Sequence, residues 1–72
     1  MKGVRQINGF ERARRRADLT QMEVANAMHV SQGTVSGWEA GKSYPTGSKL
    51  AALAKLYNCT IDQLFERGEE SA

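Results

Sequence analysis

The stretch that decides the fold is TQMEVANAMHVSQGTVSGWEAG, which runs from Thr20 to Gly41. Thr20 lies three residues ahead of Glu23, the spacing of a capping box, so a helix is predicted over 21–28. Ser31 is a second capping residue and precedes a predicted helix over 32–40. Only residues 29–31 join the two helices, so they must cross at a steep angle. The second helix is then exposed on its outer face and packed against the first helix on its inner face.

The same helix signals recur on both sides of this stretch. The segments NGFE (8–11) and TIDQ (60–63) each place a capping residue three positions ahead of Glu or Gln, and Thr46 directly follows Pro45. They predict further helices over 9–17, 47–57 and 61–66. No segment alternates with period two for long enough to predict a strand. The predicted fold class is therefore all-α, a compact five-helix domain in which helices two and three form a helix-turn-helix.

The apolar positions of these helices repeat with helical spacing and predict a single core. Leu19 and Val30 follow turns and are expected to fill the gaps between helices. The predicted core residues are Phe10, Ala13, Ala17, Met22, Val24, Ala25, Met28, Val35, Trp38, Leu50, Leu53, Ala54, Tyr57, Ile61, Leu64 and Phe65.

Length and composition exclude several classes of protein. A chain of 72 residues, 40% hydrophobic and 25% charged, suits one soluble globular domain. No apolar run approaches the roughly 20 residues of a membrane span, and no secretory signal is visible, so neither a membrane partner nor secretion is expected. One cysteine and one histidine exclude an internal disulfide and a Cys/His zinc site. No metal, cofactor or nucleophile–base pair is expected, hence no enzyme, and the expected location is cytoplasmic.

Charge is distributed unevenly along the chain. Residues 1–16 carry a net charge of +5, residues 17–61 sum to zero, and residues 62–72 carry −3. This divides the chain into a basic N-terminal arm (1–8), the helix-turn-helix domain (9–66) and an acidic tail (67–72) that is expected to be frayed from about Glu69. A basic segment suits contact with phosphates, but it also suits a solvated helix face.

The predicted third helix has an unusual outer face. Val35 and Trp38 lie three residues apart and face the core, whereas Gly33 and Gly37 lie on the other side. Each glycine costs a helix interior roughly 1 kcal/mol relative to alanine. A face of small residues indicates that something packs closely against the helix backbone. Double-stranded DNA is a natural candidate, although small residues at these positions could also be neutral drift.

Two segments resemble the phage repressor and Cro-type helix-turn-helix family, whose fold is the lambda-repressor-like domain. The first is LTQMEVANAMHVSQGTVSGWEAGKSYP (19–45), which is similar to the family's central signature. The second is LAKLYNCTIDQLF (53–65), which resembles its fourth and fifth helices. Because the resemblance covers about residues 10–65, it is far more specific than a lone helix-turn-helix pattern.

The resemblance implies that helix three enters the major groove of DNA. The positions matching base-contacting residues of the family are Gln32, Gly33, Thr34, Ser36 and Gly37. The positions matching phosphate contacts are Gln21, Lys42, Ser43 and Tyr44, and Arg14 is expected to approach phosphate as well. Arg14 and Glu39 match an ion pair that joins helix one to the end of helix three. Where the family has glycines after helices one, two and four, this chain has Asp18, His29 and Asn58. With Gly41, these residues are expected to have positive φ.

The function predicted from these observations is sequence-specific binding of double-stranded DNA by a transcriptional regulator, with repression as the expected action. One such domain contacts few bases, so a homodimer on a pseudo-palindromic operator is expected, with Phe65 shared between subunits. Two alternatives stay open. The chain could be the antitoxin of a toxin–antitoxin pair, or a protein-interaction module in which helix three packs against another protein.

Overall fold

The computed structural model of the chain describes residues 4–71 and the side chains of residues 6–67. Five helices form the body of the domain: α1 (Gly9–Arg16), α2 (Gln21–Met28), α3 (Gln32–Ala40), α4 (Gly47–Leu56) and α5 (Ile61–Leu64). Two strands flank them, β1 (Val4–Asn8) and β2 (Arg67–Ser71). Each helix begins at the residue predicted from its capping signal and ends within two residues of the predicted end. In the described part of the chain, no helix has the length and apolar character needed to cross a membrane.

The capping residues explain why the helix starts could be predicted. Thr20 with Glu23, and Thr60 with Gln63, form complete capping boxes in which side chain and backbone bond reciprocally. The side chain of Asn8 accepts a hydrogen bond from the Glu11 backbone N–H, at 3.1 Å. Thr46 differs, because its side chain makes no capping hydrogen bond to α4.

The turns that follow the helices have the predicted geometry. Asp18, His29, Asn58 and Gly41 have φ values of 60°, 59°, 54° and 75°. Asp, Asn and His are the non-glycine residues that adopt this left-handed region most readily, because their short polar side chains bond to nearby backbone. The chain therefore keeps the tight reversals of the fold without glycine in three of the four turns.

The helices enclose one small hydrophobic core. Val24, Val35, Leu53 and Leu64 are completely buried, and Phe10 and Trp38 are nearly so. Ala17, Leu19, Val30, Leu50 and Cys59 are partly buried and pack against this core. Leu19 and Val30 thus fill the gaps between helices, as predicted from their positions after turns.

Three residues predicted to be in the core are not buried. Met22, Ile61 and Phe65 expose 51%, 42% and 52% of their surface. Phe65 directly follows α5, and its ring contacts those of Phe10 and Tyr44 although about half of its surface is exposed. Met28 is buried as expected, so the two methionines of α2 have different roles.

The predicted all-α body, a compact five-helix domain, is confirmed, and a two-stranded antiparallel ribbon that was not predicted is added to it. β1 pairs with β2 over the full length of both strands, from Val4 opposite Ser71 to Asn8 opposite Arg67. The tail from Arg67 to Ser71 is therefore a paired strand rather than frayed chain. The first three residues of the basic arm and residue 72 lie outside the described residues. Ile7 is buried, which anchors β1 to the helical body.

Candidate DNA-binding surface

The turn between α2 and α3 is fixed by hydrogen bonds at both ends. His29 adopts the left-handed conformation, and the Val30 N–H bonds to the Ala25 carbonyl at 3.0 Å, which closes α2. Ser31 caps α3 by accepting from the Thr34 N–H, and the Ser31 and Thr34 hydroxyl oxygens lie 2.9 Å apart. The direction of α3 is therefore set at its first turn.

The outer face of α3 is as smooth as the sequence predicted. Val35 and Trp38 are buried beneath the helix, whereas Gln32, Gly33 and Ser36 are exposed. Thr34 and Gly37 are partly exposed on the flanks. The structure thus brings all five predicted base-contacting residues to one accessible face, and the only long side chain among them is Gln32 at the start of the helix.

Packing within the domain does not require the two glycines of this face. A Cβ at Gly33 would meet only the Ser31 hydroxyl, at 3.8 Å. A Cβ at Gly37 would lie 3.1 Å from the Ser43 hydroxyl, an exposed side chain on the following loop. Neither glycine has positive φ. Their small size is therefore not explained by contacts of the described residues.

The predicted ion pair between Arg14 and Glu39 is present. Arg14 donates from Nε to Glu39 Oε2 at 2.6 Å and from Nη2 to Oε1 at 3.0 Å. The side chains are only 13% and 5% exposed. The hydrogen bond to Glu39 raises the pKa of Arg14. Arg14 also donates from Nη1 to the Leu19 carbonyl, so this residue joins α1 to α3 and to the turn ahead of α2.

Gln21 forms hydrogen bonds within the domain that the sequence did not indicate. Its Nε2 donates to Glu39 Oε1 at 3.0 Å, and its Oε1 accepts from Gln32 Nε2 at 3.5 Å. A shallow groove beside these residues is lined by Arg14, Arg15, Gln21 and Gln32. The structure therefore places the predicted phosphate contacts Arg14 and Gln21 next to the first predicted base contact.

The loop after α3 carries the remaining predicted phosphate contacts, and all three are exposed: Lys42, Ser43 and Tyr44. A Schellman motif fixes the start of this loop, with the Gly41 N–H bonded to the Trp38 carbonyl and the Lys42 N–H bonded to the Gly37 carbonyl. The Tyr44 ring stacks on Phe65 with centroids 6.1 Å apart, which fixes its far end.

The other arginines of α1 do not all lie at this surface. Arg15 lies 3.1 Å from Glu11 in an ion pair one turn apart. Arg12 and Arg16 line a different groove, together with Leu56 and Cys59. The basic segment is thus divided between two sides of the domain, a division that net charge alone could not predict.

Asn8 is a second residue whose role the sequence showed only in part. Besides capping α1, its Nδ2 donates to the Trp38 carbonyl at 2.8 Å. That carbonyl belongs to the last turn of α3, so the N-terminal segment and α1 hold the far end of the helix.

Among the described residues, no group of His, Cys, Asp and Glu could hold a metal ion. Burial raises the pKa of the free Cys59 thiol.

Comparison with known proteins agrees with this geometry. The family model described as helix-turn-helix (HTH_3) matches residues 10–64. The HTH-type transcriptional activator BcrR of Enterococcus faecalis is 42% identical over 53 residues, which are 74% of this chain and 26% of that protein. The HTH-type transcriptional regulator DicA of Escherichia coli K12 is 47% identical over 41 residues, 57% of this chain and 30% of DicA.

A third relative is the competence pilus inhibition repressor of Acinetobacter baylyi, 35% identical over 52 residues, 72% of this chain and 47% of that protein. The chain thus spans between about a quarter and about a half of the length of these relatives. No solved structure matches significantly. Because the family model covers most of the chain, the chain belongs to the helix-turn-helix family HTH_3 of DNA-binding transcription regulators.

Proposed function

We propose that the chain binds double-stranded operator DNA with α3 in the major groove and regulates transcription there. The observation that carries this proposal is the small-residue face of α3, which is exposed although neither Gly33 nor Gly37 is required by packing. A face without long side chains lets a helix backbone approach base edges closely. The proposed base contacts are Gln32, Gly33, Thr34, Ser36 and Gly37.

The proposed phosphate contacts surround that face. Gln21 lies at the N-terminus of α2, where backbone N–H groups also favour an anion. Lys42, Ser43 and Tyr44 extend from the loop at the other end of α3. Arg14 is held by three hydrogen bonds to Glu39 and Leu19 and its side chain is only 13% exposed, so we infer that it acts on phosphate mainly through its charge.

Repression is the regulatory action proposed. A domain that occupies an operator can obstruct transcription without a further activity, whereas activation requires a surface for the transcription machinery. The names of the relatives include both an activator and a repressor. No catalytic step is needed, and the cytoplasm is the compartment proposed for this activity.

Selection from a random pool of duplex DNA tests the proposal directly. We expect enrichment of one motif, with specific binding that weakens steeply as salt rises, because bound phosphates release counterions. Enrichment of no motif, combined with binding to a protein that is insensitive to salt, would instead support a protein-interaction module. Specific binding of a toxin together with DNA would identify an antitoxin.

We further propose that the chain binds DNA as a homodimer on a pseudo-palindromic site. Ile61 on α5 and Phe65 directly after it are half-exposed, whereas Leu64 between them is fully buried. Two large exposed apolar side chains at this short helix and its C-cap suit a symmetric contact with a second copy. Two α3 helices could then enter major grooves one helical turn apart.

Sedimentation at tens of micromolar tests this surface. We expect the wild-type protein to form dimers and Phe65→Ser to shift the population toward monomer, because the serine removes most of the apolar contact. Met22→Ser, a similar loss of an exposed apolar side chain on α2, is the matched control and should leave the dimer intact. A wild-type protein that stays monomeric with and without operator DNA would contradict the proposal.

A further inference from the structure

A groove lies between α1 and the segment that joins α4 to α5, and we call it the α1–α5 groove. Its α1 wall is formed by residues 9, 12, 13, 16 and 17, whose spacing of three and four places them on one face of the helix. The opposite wall comes from residues 56–59 and from Gln63 and Glu66. The groove has a volume of about 450 Å³, within the roughly 300–1,000 Å³ range of small-molecule sites. The proposed DNA contacts all lie outside it.

The groove has a closed end and an apolar floor. Because a Cβ on Gly9 would overlap the backbone carbonyl groups of Gln63 and Leu64, α1 and α5 are in contact at that end. The lining residues Ala13 and Tyr57 are buried, so they lie at the bottom of the groove. The floor can therefore hold the apolar part of a ligand out of water.

Two arginines on the α1 wall have no partner in the described part of the chain. Arg12 and Arg16 are one helical turn apart, and neither forms a hydrogen bond or an ion pair with a described residue. The other two arginines of α1, Arg14 and Arg15, each form an ion pair with a carboxylate. Like charges one turn apart repel each other, and an anion bound to both would relieve that repulsion.

The opposite wall contributes one donor and one acid. Gln63 Oε1 accepts from the Thr60 N–H at 2.8 Å, which leaves the Gln63 Nε2 available as a donor. Glu66 lines the groove as well, but it forms no ion pair with Arg12 or Arg16 among the described residues. Positive charge therefore exceeds negative charge on the groove walls.

We propose that the α1–α5 groove binds a small organic anion. Its carboxylate or phosphate group contacts Arg12 and Arg16, because a guanidinium donates in a fork that matches the oxygens of either group. Its apolar part lies along the floor and against Leu56, a large apolar side chain that is 36% exposed at the groove. A bare inorganic ion would use the charges and leave this apolar surface in water.

NMR titration of the ¹⁵N-labelled protein tests the site with four probes at constant ionic strength: acetate, hexanoate, inorganic phosphate and hexyl phosphate. We expect saturable shifts of the backbone amides that line the groove. Each hexyl compound should bind roughly tenfold more tightly than its bare ion, because part of its chain leaves water. The tighter of the two hexyl compounds identifies the anionic group that the site prefers.

Substitutions of single charges locate the binding within the groove. Arg12→Gln and Arg16→Gln should each raise the Kd of hexanoate roughly tenfold, because a charged hydrogen bond is lost. Arg15→Gln is the matched control, since it removes the same charge from the same helix outside this groove and should leave the Kd unchanged. Glu66→Gln removes a like charge and should lower the Kd roughly two- to fivefold.

A substitution of the apolar wall tests the organic part of the ligand separately. Leu56→Ala should reduce the preference for hexanoate over acetate and leave the Kd of acetate unchanged. Circular dichroism of each variant establishes that it is folded before its Kd is compared with that of wild type.

Three results would overturn the site. Shifts that do not saturate, or equal weakening by Arg15→Gln, would mean that ions gather around the net charge of α1. Bare ions that bind as tightly as their hexyl compounds would exclude an organic ligand. Binding at this groove does not rest on the proposed function, so a protein that selects no DNA sequence and still binds hexanoate here would contradict only the DNA-binding proposal.

Discussion

The start of α1 and the outer face of α3 both contain glycine, but only in α1 do contacts within the domain exclude a larger residue. At the start of α1, a Cβ on Gly9 would overlap the backbone carbonyl groups of Gln63 and Leu64, so α1 and α5 can approach only because Gly9 has no side chain. On α3, a Cβ on Gly33 or Gly37 would meet only one exposed serine hydroxyl each, at 3.8 Å and 3.1 Å. The contact between α1 and α5 explains the first glycine, and no contact among the described residues explains the other two.

This difference separates stability from function within one small domain. A residue required by packing should resist substitution because the fold is lost. Where a residue is instead required for contact with a binding partner, the substituted protein should still fold but should bind that partner more weakly. Natural proteins depart from their stability optimum most readily at functional sites, where selection acts on binding. Substitutions in both regions test whether α3 and the contact between α1 and α5 fall on opposite sides of this division.

Gly9→Ala should give the largest effect, a loss of about 3 kcal/mol or more in the free energy of unfolding, because the added methyl group meets backbone that cannot rotate away. Urea denaturation measures it. Gly47→Ala is the matched control, since Gly47 has the same position in α4 as Gly9 in α1 and nothing lies near its Cβ. Equal stability of the two variants would contradict the close approach of α1 and α5.

Gly37→Glu should reduce operator affinity roughly 100-fold while the protein still folds, because a carboxylate would face the phosphates and base edges of the groove. Affinity is measured by titration at a stated salt concentration, with the melting temperature measured on the same sample. Ala51→Glu adds the same charge on the exposed surface of α4 and should change affinity far less. A folded Gly37→Glu protein with wild-type affinity would mean that this face does not meet the groove.

Glu39→Ala should cost about 1–3 kcal/mol of stability, because it leaves the largely buried Arg14 guanidinium without its carboxylate partner. Chemical denaturation of Glu39→Ala, Arg14→Ala and the double variant gives the coupling energy. The two losses should be clearly less than additive in the double variant. Strict additivity would show that the ion pair seen in the structure does not couple α1 to α3.

The helices of this fold could be predicted from the sequence because their signals are local. Capping residues such as Thr20 and Thr60 bond within their own first turn, and the residues at positive φ satisfy a constraint on one backbone position. The ribbon could not be predicted in this way. VRQIN and RGEES show no alternation of apolar and polar residues, and they pair only because the folded helices bring the two ends of the domain together.

The partner of a site residue could be predicted from the sequence where only one kind of group suits that residue. It was harder to predict where the side chain can bond to several kinds of group. Glu39 lies close to the core side of α3 and needs a cation, which indicated Arg14. Gln21 has both donor and acceptor groups, so its bond to Glu39 depends on the crossing of α2 and α3, a tertiary feature. The exposure of Phe65 likewise depends on tertiary packing, because this residue directly follows α5 and contacts the Phe10 and Tyr44 rings, which helical spacing does not determine.

Gly33→Ala should have the smallest effect, and it distinguishes the two glycines of α3. Gly33 does not have positive φ, and an added Cβ would make only an ordinary van der Waals contact with the Ser31 hydroxyl, so alanine should stabilise the domain by about 0.5–1 kcal/mol through a less flexible unfolded chain. Gly37→Ala should gain less, because the added methyl group requires the Ser43 hydroxyl 3.1 Å away to move. Combining Gly37→Ala with Ser43→Ala removes that hydroxyl and should restore the gain, which thermal denaturation can measure. If Gly33→Ala instead destabilised the domain, the glycine would be required by folding, and the contrast with Gly9 would be lost.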